Sequence, residues 1–223
     1  MSTQLLSTSP AKEFMNVDKN SKFWDKIANR YAKSPVKDEA AYQKKLEITR
    51  KYLSSDSSIL EIGCGTGSTA ITHAPFVKHV HATDISGNMI EIAKTKAKRL
   101  NIQNLHFERV SIDDLAVPNE SVDVVLAMSI LHLVEDRRDV MEKIYAALKP
   151  GGVFISSTIC LGDSMKFLKY IVPMGHRLGF LPLVKFFTKE AFLSSIVDMG
   201  FAIEHEWLPG KNKAIFVVAR KPA

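Results

Sequence analysis

The stretch Ile59-Leu60-Glu61-Ile62-Gly63-Cys64-Gly65-Thr66-Gly67-Ser68 decides the fold class. A short apolar run, typical of a buried strand, leads directly into three glycines at alternate positions, and a helical pattern follows. Glycines in such a turn let the backbone bend sharply and let a ligand lie against bare peptide groups. The first N–H groups of the helix remain free to donate hydrogen bonds. The pattern therefore predicts a strand, a ligand-binding loop and a helix in immediate succession.

An acidic residue lies where a nucleoside site needs one. Asp84 comes about 20 residues after Gly63 and stands at the end of the next predicted strand, where an acid normally accepts hydrogen bonds from ribose hydroxyl groups. A dinucleotide site has the spacing Gly-x-Gly-x-x-Gly, whereas here the third glycine comes one residue earlier. The spacing thus favours a different nucleoside cofactor, and a nicotinamide-dependent dehydrogenase is the alternative with a similar fold.

Strand and helix patterns alternate through most of the chain. This alternation, with short polar joints, predicts a doubly wound, mostly parallel α/β sheet, and the hairpin that ends the sequence implies one antiparallel strand. Residues 1–20 look loose and polar. The predicted strands are 58–62, 79–83, 105–110, 122–128, 153–158, 202–208 and 214–220, and the predicted helices are 21–32, 37–53, 68–74, 87–100, 136–148 and 188–199.

The composition is that of an ordinary globular protein, with 46% hydrophobic and 24% charged residues in a chain of 223. Two cysteines exclude a disulfide framework and a cysteine-based zinc site. With no signal pattern and no apolar run of about 18 residues, we expect a cytoplasmic protein without a membrane span. The net charge of +6 is unusual and comes from 30 Lys+Arg against 24 Asp+Glu. It suggests nucleic acid, an anionic lipid surface or an anionic substrate as a possible partner.

Four motifs, in order over residues 55–160, resemble those of the class I S-adenosylmethionine-dependent methyltransferases, and the pattern is most similar to the ubiquinone and menaquinone biosynthesis branch. The resemblance implies a Rossmann-like sheet of seven strands in the order 3-2-1-4-5-7-6, with strand 7 antiparallel. No Asn-Pro-Pro-Tyr segment follows the fourth strand, which argues against the branch that methylates amino groups. The motifs are the glycine-rich loop, Asp84-Ile85-Ser86 with Met89 and Ala93, Ser121–Leu126 with Ile130-Leu131-His132, and Leu148-Lys149-Pro150-Gly151-Gly152.

The resemblance also implies a cofactor and a set of site residues. The cofactor would be S-adenosylmethionine, with S-adenosylhomocysteine as the product and no metal. The family often has an acid for the adenine amino group at the end of strand three, where this chain has Ser111, so Ser111 or Asp113 is expected to make that contact. The implied cofactor-binding residues are Glu61, Gly63, Cys64, Gly65, Gly67, Asp84, Ile85, Met89, Ser111, Ile112, Asp113, Ala127 and Met128.

Two residues are candidates for catalysis. His132 follows the fourth strand, on the side that faces the methyl group in this fold, and is either a general base or a histidine that only packs near the cofactor. Tyr31 is the first candidate for an aromatic lid residue that excludes water from the sulfonium and contacts it through its ring. Phe23 and Trp24 are expected mainly to pack the first helices on the core.

We expect one methyltransferase domain over residues 1–223. It would comprise a helical lid (1–55), a cofactor-binding core (56–160), a substrate-side insert (161–187) and the last helix with its hairpin (188–223). The insert is apolar yet basic, and three interpretations stay open: a cap over an apolar acceptor pocket, which is favoured, a surface that touches anionic lipid, or a dimer contact.

The expected reaction is methyl transfer by in-line displacement to a small apolar or aromatic acceptor, in which catalysis depends mainly on positioning. An RNA or protein methyltransferase is one alternative, but the basic residues are dispersed and no RNA-binding module is present, which argues against nucleic acid. A regulatory protein that binds the cofactor without catalysis is another alternative. The sequence leaves open a monomer or a homodimer.

Overall fold

The computed structural model describes residues 10–164 and 168–223, and in this part of the chain the core is a seven-stranded sheet with helices packed against it. Residues 1–9 of the expected lid and 165–167 of the expected insert lie outside it. The strands are β1 (Ser58–Ile62), β2 (His79–Asp84), β3 (Leu105–Arg109), β4 (Val122–Met128), β5 (Leu148–Thr158), β6 (Ala202–Trp207) and β7 (Ile215–Arg220). The helices are α1 (Pro10–Lys33), α2 (Glu39–Arg50), α3 (Ser68–His73), α4 (Gly87–Arg99), α5 (Arg137–Ala147), α6 (Leu161–Ser164), α7 (Leu168–Arg177) and α8 (Lys189–Asp198).

The strand order is β3-β2-β1-β4-β5-β7-β6, which confirms the predicted topology. β1 to β5 pair in parallel, and β7 runs antiparallel to both β5 and β6. Successive residues of the central strands supply two separate cores, because side chains alternate across a strand. On β4, Val125 belongs to the core shared with α5 and α8, whereas Val124 and Leu126 belong to the core shared with α3 and α4.

Two boundaries differ from the sequence-based prediction by more than three residues. The first helix begins at Pro10, so residues 10–20 are helical rather than loose; proline suits the first helical position, and Ser21 Oγ ties the helix to the Ile85 carbonyl at 3.2 Å. β5 begins at Leu148, so the segment 149–152 belongs to the strand instead of a turn. The cause is pairing with the end of the chain, where the Gly151 N–H donates to the Lys221 carbonyl at 3.0 Å.

The first helix is held against the start of α4 by one carboxylate. Asp25 Oδ1 accepts hydrogen bonds from Ser86 Oγ at 2.5 Å and from the Asn88 N–H at 2.9 Å, and Asn88 Nδ2 donates to the Asp25 carbonyl. A negative charge at a helix N-terminus is favourable because it meets unpaired N–H groups. The first helix is therefore fixed beside the loop that follows Asp84. None of the helices in the described ranges is both long and apolar enough to cross a bilayer.

The third glycine of the loop has no room for a side chain, because neighbouring side chains pack against its Cα. Gly67 has a φ of 75°, and a Cβ there would lie 2.7 Å from Phe107 Cζ and 2.8 Å from Ala93 Cβ. Gly151 has a φ of 76° with nothing within 4 Å, so Gly151→Ala isolates the backbone strain. We expect Gly151→Ala to lower the free energy of unfolding by about 1–2 kcal/mol and Gly67→Ala by about 1–3 kcal/mol more. Urea unfolding measures both, and equal losses would contradict the packing account.

Candidate cofactor site

Two adjoining cavities open at the carboxyl ends of the central strands. Cavity A, of about 730 Å³, is the one lined by Asp84, Ser111 and Leu183. Cavity B, of about 840 Å³, is the one lined by Glu61 and Lys45. Cavities of a few hundred to about 1,000 Å³ suit small ligands and cofactors. The residues that line both cavities are Tyr31, Gly63, Gly65, Met128 and Ser129.

Bare backbone at Gly65 forms the floor between the two cavities. The residue has a φ of 54°, and the nearest atom to a Cβ placed there is Tyr31 Cε1, at 3.9 Å. A side chain at Gly65 would therefore project into the space between the loop and the Tyr31 ring. At Gly63 a side chain has no such room, because a Cβ would lie 2.7 Å from Ile130 Cδ1. The loop thus offers a ligand its peptide groups at Gly65, under an aromatic ring.

The carboxylate of Asp84 is oriented by two backbone amides. Its Oδ2 accepts from the Gly65 N–H at 2.8 Å, and its Oδ1 accepts from the Ser86 N–H at 2.9 Å. Burial raises the pKa of this carboxyl, while the two hydrogen bonds act in the opposite direction. Each carboxylate oxygen can accept a further hydrogen bond, so the group can still bind a pair of ligand hydroxyls.

Glu61 is a buried acid with an unsatisfied atom. Its side chain is 1% exposed, and its Oε2 has no hydrogen-bond partner among the residues that are described. Burial, with a smaller contribution from Asp84, raises the pKa of this carboxyl to about 8. An unpaired buried carboxyl is costly unless a cation or a donor meets it. This orphaned oxygen, on the wall of cavity B, fits the positively charged methionine part of S-adenosylmethionine.

The predicted adenine contacts come together on the wall of cavity A. Ser111, Ile112 and Asp113 all line it, as do Ile85 and Met89. Ser111 Oγ donates to Asp113 Oδ2 at 3.2 Å and accepts from the Asp113 N–H at 3.3 Å. The Ser111 hydroxyl therefore holds the Asp113 carboxylate at the cavity wall, so the two predicted adenine contacts form one hydrogen-bonded pair.

Three of the predicted cofactor residues have other positions or states. Gly67 and Ala127 are not among the residues that line either cavity, and Ala127 is fully buried in the core. Cys64 lines cavity B, but burial, with Glu61 and Asp84 nearby, raises the pKa of its thiol well above the usual value. The thiol is therefore neutral, which agrees with its interpretation as a small loop residue.

His132 is buried behind the cavity wall. Its side chain is 8% exposed, its Nδ1 has no partner within the described part of the chain, and neither cavity is lined by it. Burial lowers the pKa of the imidazole to about 4. Its carbonyl accepts a hydrogen bond from the Lys185 N–H at 2.8 Å. The role of His132 as a general base stays a prediction from the sequence.

Three aromatic side chains of the first two helices line the cavities. Tyr31 lies over Gly65, and burial followed by the charge of Asp84 raises the pKa of its hydroxyl. Trp24 lines cavity A, although we expected it mainly to pack the helices, and it contacts Phe23 edge to face. Tyr42 lines cavity B.

Two polar contacts at the site were missed by sequence reasoning. Lys45 Nζ donates to Ser157 Oγ at 2.8 Å on the wall of cavity B, and burial lowers the pKa of this lysine. Asn20 Oδ1 accepts from the Leu183 N–H at 3.2 Å, which joins the first helix to the insert beside cavity A. Each contact joins residues more than 100 positions apart, so no local pattern could have indicated it.

Comparison with known proteins places this geometry in a family. Residues 59–152 match the family model of a methyltransferase domain. The chain is 27% identical over 101 residues to the uncharacterized methyltransferase YcgJ of Bacillus subtilis, covering 45% of this chain and 40% of YcgJ. It is 31% identical over 156 residues to the mitochondrial ubiquinone biosynthesis O-methyltransferase of Schizosaccharomyces pombe, covering 69% and 56% of the two chains. This chain thus spans about half the length of these curated relatives.

A solved structure supports the same assignment at the level of the fold. The crystal structure of YcgJ from B. subtilis superposes with a TM-score of 0.68 at 16% identity, covering 81% of this chain and 99% of that one. An S-adenosylmethionine-dependent methyltransferase from Mesorhizobium loti has the same fold, with a TM-score of 0.66 at 20% identity, covering 80% of this chain and 96% of that one. Residues 59–152 are therefore a methyltransferase domain, and the sheet that contains them has the topology expected for the class I fold.

Proposed function

We propose that this protein transfers the methyl group of S-adenosylmethionine to a small acceptor that has an apolar or aromatic part. The observation that carries the proposal is the pair of acids beside the glycine loop. Asp84 is oriented by amides so that it can bind ribose hydroxyls, and Glu61 presents an unpaired oxygen where a cationic ligand group would satisfy it. A nicotinamide cofactor offers the ribose and, when oxidised, a pyridinium cation, but it has no ammonium group that could donate a hydrogen bond to the unpaired Glu61 oxygen.

The residues of the two cavities suggest how the cofactor is held. Asp84 would bind the ribose, Ser111 with Asp113 the adenine amino group, and Glu61 the charged amino-acid part. When bound, the cofactor supplies a methyl group on a sulfonium, which is open to displacement by a nucleophile. The protein's contribution is then to position the acceptor in line with that methyl group and to exclude water. Tyr31, above Gly65, would cover the site.

Cavity B favours an acceptor that combines an apolar body with a polar oxygen. Lys45 donates to a hydroxyl, Ser157 Oγ, and forms no ion pair with any side chain in the described ranges. An ammonium has three donors, so Lys45 can bind a hydroxyl or carboxylate oxygen of the acceptor as well. The apolar residues on the same wall include Val36, Leu46, Met128, Pro209 and Ala214.

Transfer of a labelled methyl group tests the proposal directly. The protein is incubated with S-adenosylmethionine that carries a tritiated methyl group and with a small-molecule fraction of a cell extract. We expect label in an organic-soluble small product, which mass spectrometry identifies by a gain of one methyl group. Label that appears only in protein or RNA would contradict the small acceptor. Cofactor binding without any labelled product would favour the regulatory alternative.

Loss of the Asp84 carboxylate should weaken cofactor binding. Asp84→Ala removes the acceptor for ribose and frees the Gly65 and Ser86 amides, so we expect the affinity for S-adenosylhomocysteine to fall by one to a few kcal/mol, the scale of about 1.5–3 kcal/mol for hydrogen bonds to a charged group. Calorimetric titration measures the affinity, and Asp56→Ala, at an exposed aspartate of a turn, is the matched control. Unchanged affinity in Asp84→Ala would refute the ribose role.

Cofactor binding should be linked to the proton of Glu61. In the free protein burial raises the pKa of Glu61 from 4.5 to about 8, so the carboxyl is protonated at pH 7, and its contribution makes the free energy of unfolding fall as the pH rises from about 4.5 to about 8. A cationic ligand group favours the carboxylate, so binding at pH 7 should release a proton, and affinity should rise between about pH 6 and pH 7.5.

The proton release is measured by titrating S-adenosylhomocysteine at pH 7 in two buffers of different ionisation enthalpy. For the wild type the binding heats in the two buffers should differ, because the buffer takes up the released proton. This difference between buffers should disappear in Glu61→Gln, and the variant should bind S-adenosylhomocysteine more weakly than the wild type. Glu47→Gln, at an exposed position of α2, should behave like the wild type. A wild-type binding heat that is independent of the buffer would show that Glu61 does not meet the cationic group.

A further inference from the structure

Three side chains that can ligate a metal ion meet at one edge of the sheet, outside the cofactor site. His81 of β2 and His106 and Glu108 of β3 each place a ligand atom within 4.8 Å of the ligand atoms of the other two. None of the three lines cavity A or cavity B. In the part of the chain that the structure describes, no other three histidine, cysteine or acidic side chains come together in this way.

The strand pairing explains why the three side chains share a face. Residues of a strand alternate between the two faces of a sheet, so His106 and Glu108, two positions apart, lie on the same face. Phe107, between them, is buried on the opposite face in the core shared with α3 and α4. The parallel register places His81 beside His106, and the centroids of their rings lie 5.4 Å apart. The ligand set comes from two strands, so no local spacing in the sequence indicates it.

The group is open to solvent. The side chains of His81 and Glu108 are 26% and 45% exposed, and His106 is exposed. β3 is the edge strand of the sheet, and its connection to β4, residues 110–121, forms no helix. An ion can therefore reach the three side chains directly from solvent.

The distances within the group suit a small divalent cation. His81 Nε2 and Glu108 Oε2 lie 2.8 Å apart and form a hydrogen bond. Two ligand atoms that each lie about 2.0–2.1 Å from a tetrahedral zinc ion are about 3.4 Å from each other. This separation falls between the shortest distance in the group and its 4.8 Å limit. Small rotations of the side chains would therefore bring all three atoms to bonding distance, with the metal in place of the proton that His81 donates.

We propose that His81, His106 and Glu108 form a binding site for a divalent transition metal such as zinc. Two imidazoles and one carboxylate match the ligands that zinc accepts, whereas magnesium and calcium prefer oxygen ligands alone. Three protein ligands leave the fourth tetrahedral position to water. The bound metal would join β2 to the edge strand β3, and Asp84 ends the first of these strands while Ser111 follows the second. Metal binding requires no methyl transfer, so the inference goes beyond the proposed function.

Calorimetric titration of the full chain with zinc tests the proposal. We expect one tightly bound zinc ion per chain and no measurable binding of magnesium. At a free zinc concentration about 100 times the Kd, the midpoint of thermal unfolding should rise by about 5–10 °C, because only the folded chain holds the three ligands together. Absence of zinc binding, or equal affinities for zinc and magnesium, would overturn the inference.

Substitutions assign the bound zinc to these ligands. His106→Gln and Glu108→Gln each remove one ligand, and we expect each to weaken zinc binding at least tenfold, since loss of even an outer partner of a metal ligand costs about 10–100-fold. His176→Gln, at a histidine of α7 outside the group, is the matched control and should bind zinc like the wild type. Without zinc, circular dichroism and the affinity for S-adenosylhomocysteine should be unchanged in all three variants. Wild-type zinc affinity in both His106→Gln and Glu108→Gln would place the ion elsewhere and overturn the inference.

Sedimentation velocity distinguishes a site within one chain from a bridge between two chains. A bridging ion would take its fourth ligand from a second copy instead of from water. We expect the chain to sediment as the same species with and without zinc. One zinc ion per two chains, together with a dimer that zinc induces and His106→Gln abolishes, would overturn a site completed within one chain.

Discussion

The site depends on two hydrogen bonds, which the Asp84 carboxylate accepts from the backbone N–H groups of Gly65 and Ser86. These two hydrogen bonds join the loop after β1 to the end of β2 and the start of α4. The Cys64 N–H strengthens the same junction by donating to the Thr83 carbonyl at 2.9 Å. Asp25 then attaches the first helix to Ser86, so this helix is positioned by residues that also position the glycine loop. The Asp84 carboxylate thus organises the loop and the start of α4 and, through Ser86, the first helix.

A second carboxyl close to the first is the basis of the proposed preference for a cationic ligand. Two buried acids in one site repel each other when both are ionised, and burial adds to the cost. The raised pKa of Glu61 relieves this in the free protein because the group keeps its proton near neutral pH. A ligand that combines ribose hydroxyls with a positively charged amino-acid part would donate hydrogen bonds to Asp84 and neutralise the charge of Glu61 at the same time.

The sequence was sufficient for the elements whose determinants are local. The glycine spacing, the acid after β2 and the alternation of strands and helices predicted a doubly wound sheet and the residues Gly63, Gly65 and Asp84 at the cavities. The order of the strands came from the family resemblance. Contacts between residues far apart in the sequence could not be predicted. In the sequence Lys45 resembles an ordinary solvated lysine, and only the fold brings it to Ser157 of β5. The early start of β5 likewise depends on the last residues of the chain, which pair with Gly151.

The central claim concerns the cofactor, and one calorimetric comparison tests it most directly: the wild-type chain titrated with S-adenosylhomocysteine and, separately, with NAD. The account predicts one molecule of S-adenosylhomocysteine bound per chain and no measurable binding of NAD. Binding of NAD without binding of S-adenosylhomocysteine would contradict it.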